Sequence, residues 1–241
     1  MLSPLKIMNA SRCVDIRQVY DHFDVPITAQ DCGARCAAHH QNGIPFCCDI
    51  CHAVPTATRP EWDYLKHSTD LWHVWRGDEC PDDSDDIDKL RAETPGHLLL
   101  LACQGVAHCQ RQMRALSCRQ FPFFPYITDD DRFLGLTYDW RFESVCWVIS
   151  NLGAVTLLYR QQFVETYDWL FSLGPDEYES YAAFSEEMRS HFAARQQRIP
   201  ILHRNGRDYL LSPRSERLRR AQRPFRRFGP YRAYGCIAMH P

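Results

Sequence analysis

Cysteine carries the chemistry of this chain, with 12 in 241 residues, most of them closely spaced in two groups. The first group opens as Asp31-Cys32-Gly33-Ala34-Arg35-Cys36. It continues after Pro45 as Phe46-Cys47-Cys48-Asp49-Ile50-Cys51-His52, three thiols and an imidazole within six residues. The second follows the apolar run Leu98 to Leu101 as Cys103, Cys109 and Cys118, with Cys146 further on. The thiolate is the ligating and nucleophilic form of cysteine. Thiols at this density serve metal or redox chemistry in a reducing compartment, and disulfides in an oxidising one. All-thiolate ligation suits zinc or an iron–sulfur cluster and disfavours magnesium and calcium, which take oxygen. The spacing matches neither the ferredoxin pattern nor the compact paired ligands of a zinc finger, so zinc and iron both stay open.

Local structure must bring these thiols together. Asp31 suits a helix N-cap and Asn42-Gly43 a stop, which predicts a short helix with Cys32 and Cys36 at i and i+4. Their Cβ atoms then lie about 5–6 Å apart on one face, from where both sulfurs can reach one metal at about 2.3 Å. Cys47 and Cys48 are adjacent, and neighbouring side chains point in different directions. Both binding one ion is awkward, and a second metal or a bridging role is the alternative. His39, His40 and His52 are expected beside the metal or facing solvent rather than as ligands. Cys13 and Cys236 lie far outside the groups and are read as ordinary thiols. Cys80, beside Pro81, is given no role.

Composition places the chain among globular proteins: 45% hydrophobic, 24% charged, and a formal net charge of -2. That excludes a disordered chain and one built wholly for nucleic acid. Residues 1–13 lack the basic and apolar segments of a secretory signal. The run Leu98 to Cys103 is far shorter than the roughly 20 residues of a membrane span, and the stretch from Trp147 to Tyr159 is broken by Ser150 and Asn151. A soluble, cytoplasmic protein without membrane association is therefore expected.

The expected fold is mainly α with short β elements: an irregular cysteine-rich metal-binding region over residues 1–150, then a helical pair, a β-hairpin and an Arg-rich tail over 151–241. That boundary is nominal, because the C-terminal helices have aromatic faces that need a partner, and one continuous unit is expected. A helix after Pro60 carries Trp62, Leu65, Leu71, Trp72 and Trp75 on an apolar face. Seven carboxylates between Asp78 and Asp88 read as a solvated loop, without the glycine and terminal glutamate of a calcium loop. Prolines hold Arg119 to Tyr126 extended and exclude a helix there, and Phe133 to Tyr138 reads as a strand. Helices are expected from Val155 to Leu173 and, after Pro175, from Glu177 to Gln196. The stripe Tyr159, Phe163, Tyr167 and Phe171 is assigned to packing. Ile199 to Leu211 reads as a hairpin turning at Asn205-Gly206 through a type I′ turn. Arg214 to Arg232 has eight arginines against one glutamate, with Phe225, Phe228 and Tyr231 interleaved. This reads either as a solvated helix with a docked tail or as a surface for nucleic acid or an acidic protein.

The order of a short-spaced cysteine pair, a Cys-Cys doublet, Cys103-x5-Cys109-x8-Cys118-Arg-x-Phe-Pro and a later Cys146 resembles the CxxCxxCC cysteine-cluster proteins. This is the YkgJ-type family, described as zinc- or iron-chelating. The stretch Arg114-Ala115-Leu116-Ser117-Cys118-Arg119-Gln120-Phe121-Pro122 is similar to the family's Arg-Pro-x-x-Cys-Arg-x-Phe-Pro signature, with Ala115 where proline is usual. The resemblance covers residues 30 to 150 and implies Cys32, Cys36, Cys47, Cys48, Cys103, Cys109, Cys118 and Cys146 as metal ligands. The family's tight run is opened here to Cys32-x3-Cys36-x10-Cys47-Cys48 with Cys51 added, which leaves open which of Cys47, Cys48 and Cys51 form the usual doublet. Eight thiols fill two four-ligand sites, or one such site with the rest buried or redox-active. The family's relatives include flagellin lysine N-methylases, but no glycine-rich nucleotide or methyl-donor motif carries that activity here.

Three functions follow as expectations. The first is a protein whose zinc or iron, or iron–sulfur cluster, joins residues 32–51 to 103–146 and supplies folding energy. The second is a redox or group-transfer enzyme, with Arg119, Tyr126, Tyr138, Asp139 and Arg141 near the second cysteine group, although no Gly-x-Ser-x-Gly, phosphate loop or His-Glu-x-x-His is present. The third is a metal-stabilised interaction module whose arginine tail binds an anionic partner.

Overall fold

A computed structural model describes residues 15–40, 42–80, 84–222 and 224–232. Two antiparallel sheets organise it. The smaller has three strands, β1 (Thr56–Thr58), β2 (Trp72–Val74) and β3 (Leu98–Cys103), in the order β1-β3-β2. The larger has five, β4 (Phe123–Ile127), β5 (Phe133–Tyr138), β6 (Ile199–His203), β7 (Asp208–Leu211) and β8 (Leu218–Arg220), in sequential order. Around them lie α1 (Ile16–His22), α2 (Cys32–Ala37), α3 (Arg59–Ser68), α4 (Ser84–Glu93), α5 (Leu116–Gln120), α6 (Leu157–Phe171) and α7 (Pro175–Ala194).

This corrects the expectation of a mainly α chain with short β elements: the fold is α+β. Every residue of β4 is buried, as are all but the first of β5, and fully buried strands lose the alternation that would reveal them in sequence. The hairpin of β6 and β7 is not an appendage. β6 pairs with β5 at Gly135↔His203 and Leu136↔Leu202, so the sheet uses strands from both sides of residue 150. Gly135 is required there: its φ is +138°, and a Cβ would meet the Leu202 carbonyl oxygen at 2.5 Å.

The hairpin turn also differs from type I′. Gly206 has φ +78° while Asn205 stays at negative φ, and the His203 and Arg207 main chains close a three-residue loop. That is a type I turn followed by a left-handed glycine.

Several helix limits follow from caps. Asp31 accepts from Ala34 N at 3.1 Å and starts α2. Thr58 caps α3, with Pro60 in its first turn. α3 stops at Ser68, so Leu71, Trp72 and Trp75 do not extend its face; Trp72 opens β2 opposite Cys103, and both tryptophans are buried. The acidic stretch is not wholly loop, since α4 begins at Ser84. Among the described residues the arginine-rich segment has no α-helix: it forms β8 and a 3-10 turn at Gly229–Tyr231.

Two cores result. The larger packs Tyr159, Phe163 and Tyr167 of α6 and Met188 and Phe192 of α7 on the five-stranded sheet. The smaller gathers Tyr20, Ala57, Leu65, Trp72, Leu101 and Ala115. Cys32 and Cys146 belong to the first core, Cys103 and Cys118 to the second, so the cysteines lie where the two meet. Among the described residues no helix is long and apolar enough to cross a membrane.

Candidate metal centre

Each cysteine is placed by a short rigid element. α2 carries Cys32 and Cys36 one turn apart, and Gly33 allows it to approach the next segment: a Cβ there would meet Pro45 Cγ at 3.2 Å. A 3-10 turn, Phe46–Cys48, then presents Cys47 and Cys48. Cys103 ends β3, Cys109 follows the 3-10 turn Val106–His108, and Cys118 lies in α5. Cys146 follows a turn closed by its own N–H on the Phe142 carbonyl, at 3.0 Å.

The second segment is fastened to the first half of the fold by polar contacts. Ser117 Oγ donates to the Thr56 carbonyl at 2.7 Å and accepts from Thr56 N at 3.1 Å. Trp72 Nε1 donates to the Met113 carbonyl at 2.7 Å. The buried Arg119 guanidinium donates to the carbonyls of Tyr20 at 2.8 Å, Phe23 at 2.5 Å, Gln112 at 2.5 Å and Arg114 at 3.1 Å. The Cys-Arg-x-Phe-Pro stretch is thus a thiol beside a clamp, with Phe121 packed on Phe142 at 4.8 Å between ring centroids and a cis peptide before Pro122.

Eight thiols converge as two adjoining groups. Cys36 and Cys146 hydrogen-bond to each other, and Cys47 interacts electrostatically with Cys146 and Cys32. Cys118 interacts with Cys103, Cys48 and Cys109. Cys47 and Cys48 interact across the junction, and Cys48 also interacts with Cys36. Cys47, Cys48, Cys103, Cys109 and Cys118 line one cavity of about 70 Å³. It suits waters or an inorganic centre and falls far below the roughly 300 Å³ where small-molecule sites begin.

Sulfur is supplied with hydrogen-bond donors. Trp147 N reaches Cys36 Sγ at 3.3 Å, and Arg114 Nε reaches Cys109 Sγ at 3.0 Å. Backbone N–H groups of Gly105 serve Cys103, those of Val148 and Ile149 serve Cys146, and the Tyr231 hydroxyl serves Cys36. Accepting from Cys146, Trp147 N and Tyr231 lowers Cys36 to about 6. Accepting from Cys47, with the Arg114 charge nearby, lowers Cys48 to about 7. Their donors Cys47 and Cys146 move well up, and burial pushes Cys32, Cys103 and Cys118 up. Crowded sulfurs resist carrying negative charge together unless a cation joins them, and a bound metal deprotonates its thiols outright. Among the described residues no three cysteine sulfurs lie within 4.8 Å of one another. Four thiolates on a single zinc at about 2.3 Å would be about 3.8 Å apart.

Cys51 leaves the candidate doublet: it is disulfide-bonded to Cys80, S–S 2.10 Å, so metal or redox use does not account for every cysteine. Pairing across 29 residues has no local signature in the sequence. Cys13 and Cys236 lie outside the described residues. His40 and His52 do not simply face solvent; they converge on Asp49, an arrangement the sequence hid because it depends on how the 40–52 loop closes. Arg119, Tyr126, Tyr138, Asp139 and Arg141 do not line the cysteine cavity. Tyr126 donates to Glu216 and Tyr138 to Glu143, and Asp139 pairs with Arg141 at 2.6 Å.

The chain matches no protein-family model, no curated protein and no solved structure. What the site can do therefore rests on its own chemistry. The arginine-rich segment contributes to it: Phe228 and Tyr231 are buried, and Tyr231 reaches both Cys36 and the Val145 carbonyl.

Proposed function

We propose that this is a metal-binding cysteine-cluster protein with two four-thiolate groups: Cys32, Cys36, Cys47 and Cys146, and Cys48, Cys103, Cys109 and Cys118. The observation that carries the reading is one cavity lined by five free thiols, Cys47, Cys48, Cys103, Cys109 and Cys118, from segments up to 71 residues apart, with Cys32, Cys36 and Cys146 interacting with Cys47 and Cys48 beside it. Sulfur separations wider than a closed zinc tetrahedron favour iron–sulfur centres over single zinc ions, and hydrogen bonds to sulfur are a lever by which proteins tune such centres. The reading includes the YkgJ-type family resemblance through Cys118, Arg119, Phe121 and Pro122. It also includes a cytoplasmic location, which the eight free thiols favour and the Cys51–Cys80 disulfide opposes.

The test is elemental analysis with an optical spectrum on protein purified without oxygen. Iron with acid-labile sulfide and broad visible absorption is expected. Colourless protein carrying zinc would keep the ligands and replace the metal, whereas well-folded, metal-free protein would overturn the reading.

A second reading, an anionic partner, is favoured by one observation. Arg198, Arg219, Arg220 and Arg226 line a common surface cavity with Phe225 and Phe228. Binding to nucleic acid or an acidic protein should then fall steeply between low and moderate salt. No binding at low salt would remove this reading.

A further inference from the structure

We propose that His40, Asp49 and His52 form a nitrogen–oxygen site for a divalent first-row transition-metal ion, separate from the thiolate groups. One ligand atom from each lies within 4.8 Å of the other two. Asp49 is 7% exposed, and its oxygens face the two imidazoles: His40 Nε2 stands 3.8 Å from Oδ2 and His52 Nδ1 3.9 Å from Oδ1. Those separations are too long for hydrogen bonds and suit donors arranged around a third atom.

The surroundings hold the three side chains without satisfying them. Asn42 Nδ2 donates to Asp49 Oδ2 at 2.9 Å and Cys51 N to Oδ1 at 3.1 Å, so the carboxylate is positioned by two neutral donors. A carboxylate this buried is costly unless a cation or metal joins it. His40 Nδ1 is buried with no partner. Phe46 stacks edge-on against both imidazoles, at 5.6 and 5.0 Å between centroids, and the imidazoles stand 81° apart. His52 N and Ala53 N close the turn on the Asp49 carbonyl, both at 2.9 Å, and the Cys51–Cys80 disulfide anchors the residue between the turn's ends.

Two imidazoles and one carboxylate are the ligand set of open mononuclear sites for iron(II) and of catalytic zinc, which leave further positions for water or substrate. The His52 side chain is 37% exposed, so solvent reaches one edge of the site. Soft thiolates and this harder donor set differ in preference, which allows the two kinds of site to coexist 1 residue apart at Cys48 and Asp49.

The assignment stands independently of what the thiolates hold, and cobalt(II) separates the two. Protein retaining its native metal is dialysed against cobalt(II), then analysed for metal content and visible absorption. The expected result is one additional cobalt per chain, with weak ligand-field bands and no intense sulfur-to-cobalt charge transfer. His52→Ala and Asp49→Asn should lose that cobalt while keeping the native metal, and His73→Ala, which removes a surface imidazole beside Glu79, should keep both. His52 is exposed enough that its loss leaves the core intact, with circular dichroism as the check. Equal cobalt uptake by wild type and His52→Ala, uptake only with sulfur charge transfer, or no uptake would overturn the site.

Discussion

Cys47 and Cys48 are consecutive residues whose thiols have different neighbours: Cys47 interacts with Cys146 and Cys32, while Cys48 interacts with Cys36 and Cys118. The two interact with each other, so the doublet is the covalent link between the two proposed groups. It sits where the two hydrophobic cores meet, with Cys146 in one and Cys118 against the other. A metal held there would join the two cores, both of which Leu116 also touches.

The division into groups gives a stoichiometric prediction. Cys36→Ser and Cys103→Ser should each remove the metal of one group, roughly halving the content, and the double variant should remove both. Elemental analysis of the purified variants checks this. A single substitution that empties all metal would mean one shared centre, and the two-group arrangement would be wrong.

Metal removal should loosen the whole protein. A ligand present at about 1,000 times its dissociation constant stabilises the folded state by about 4 kcal/mol, and structural metal sites commonly exceed that. Anaerobic chelation should therefore lower the unfolding midpoint, and readdition of metal should restore it. Unchanged melting after complete metal loss would leave the centre without a structural role.

Arg119 tests the clamp. Its side chain is inside, and its guanidinium donates to four main-chain carbonyls drawn from α1, the residue after it, and the 112–114 loop. Lysine cannot span that fan of acceptors, and the carbonyls left bare would be partly desolvated. Arg119→Lys should cost about 3 kcal/mol in urea unfolding. It should also weaken metal retention through Cys118, and a variant as stable as wild type would show the clamp to be dispensable.

How far the sequence reaches is visible in these same residues. The cysteines of both groups can be read by type and spacing, and Tyr159, Phe163 and Tyr167 reveal α6 because a helix face repeats locally. β5 falls at its expected residues, Phe133–Tyr138. The pairing of β5 with β6 is not legible, since it joins residues more than sixty positions apart through backbone groups that every residue carries. Trp72 looks like a continuation of α3 because its spacing fits a helix, and only its pairing with Cys103 makes it a strand. Cys51–Cys80 and the convergence of His40 and His52 on Asp49 are products of loop closure, which spacing alone does not encode.

Glu61 supplies a pH dependence that owes nothing to the metal. The carboxylate is 3% exposed, accepting from Tyr20 Oη at 2.7 Å and Leu116 N at 2.6 Å, and burial pushes it from 4.5 up to about 7 despite those donors. The folded state thus binds this proton more tightly than the unfolded chain does. Its contribution is fully present below about pH 4.5, declines as pH rises, and is gone above about pH 7. At about 1.4 kcal/mol per unit the whole swing is about 3 kcal/mol. Glu61→Gln keeps an acceptor for Leu116 and cannot ionise, so its urea midpoint should be flatter than that of wild type between about pH 5 and about pH 8. Taking the difference between the two proteins cancels titrating histidines and thiols common to both. Parallel pH profiles would mean that Glu61 titrates alike in the folded and unfolded chains, and that Tyr20 and Leu116 hold a carboxylate rather than a carboxylic acid at pH below 7.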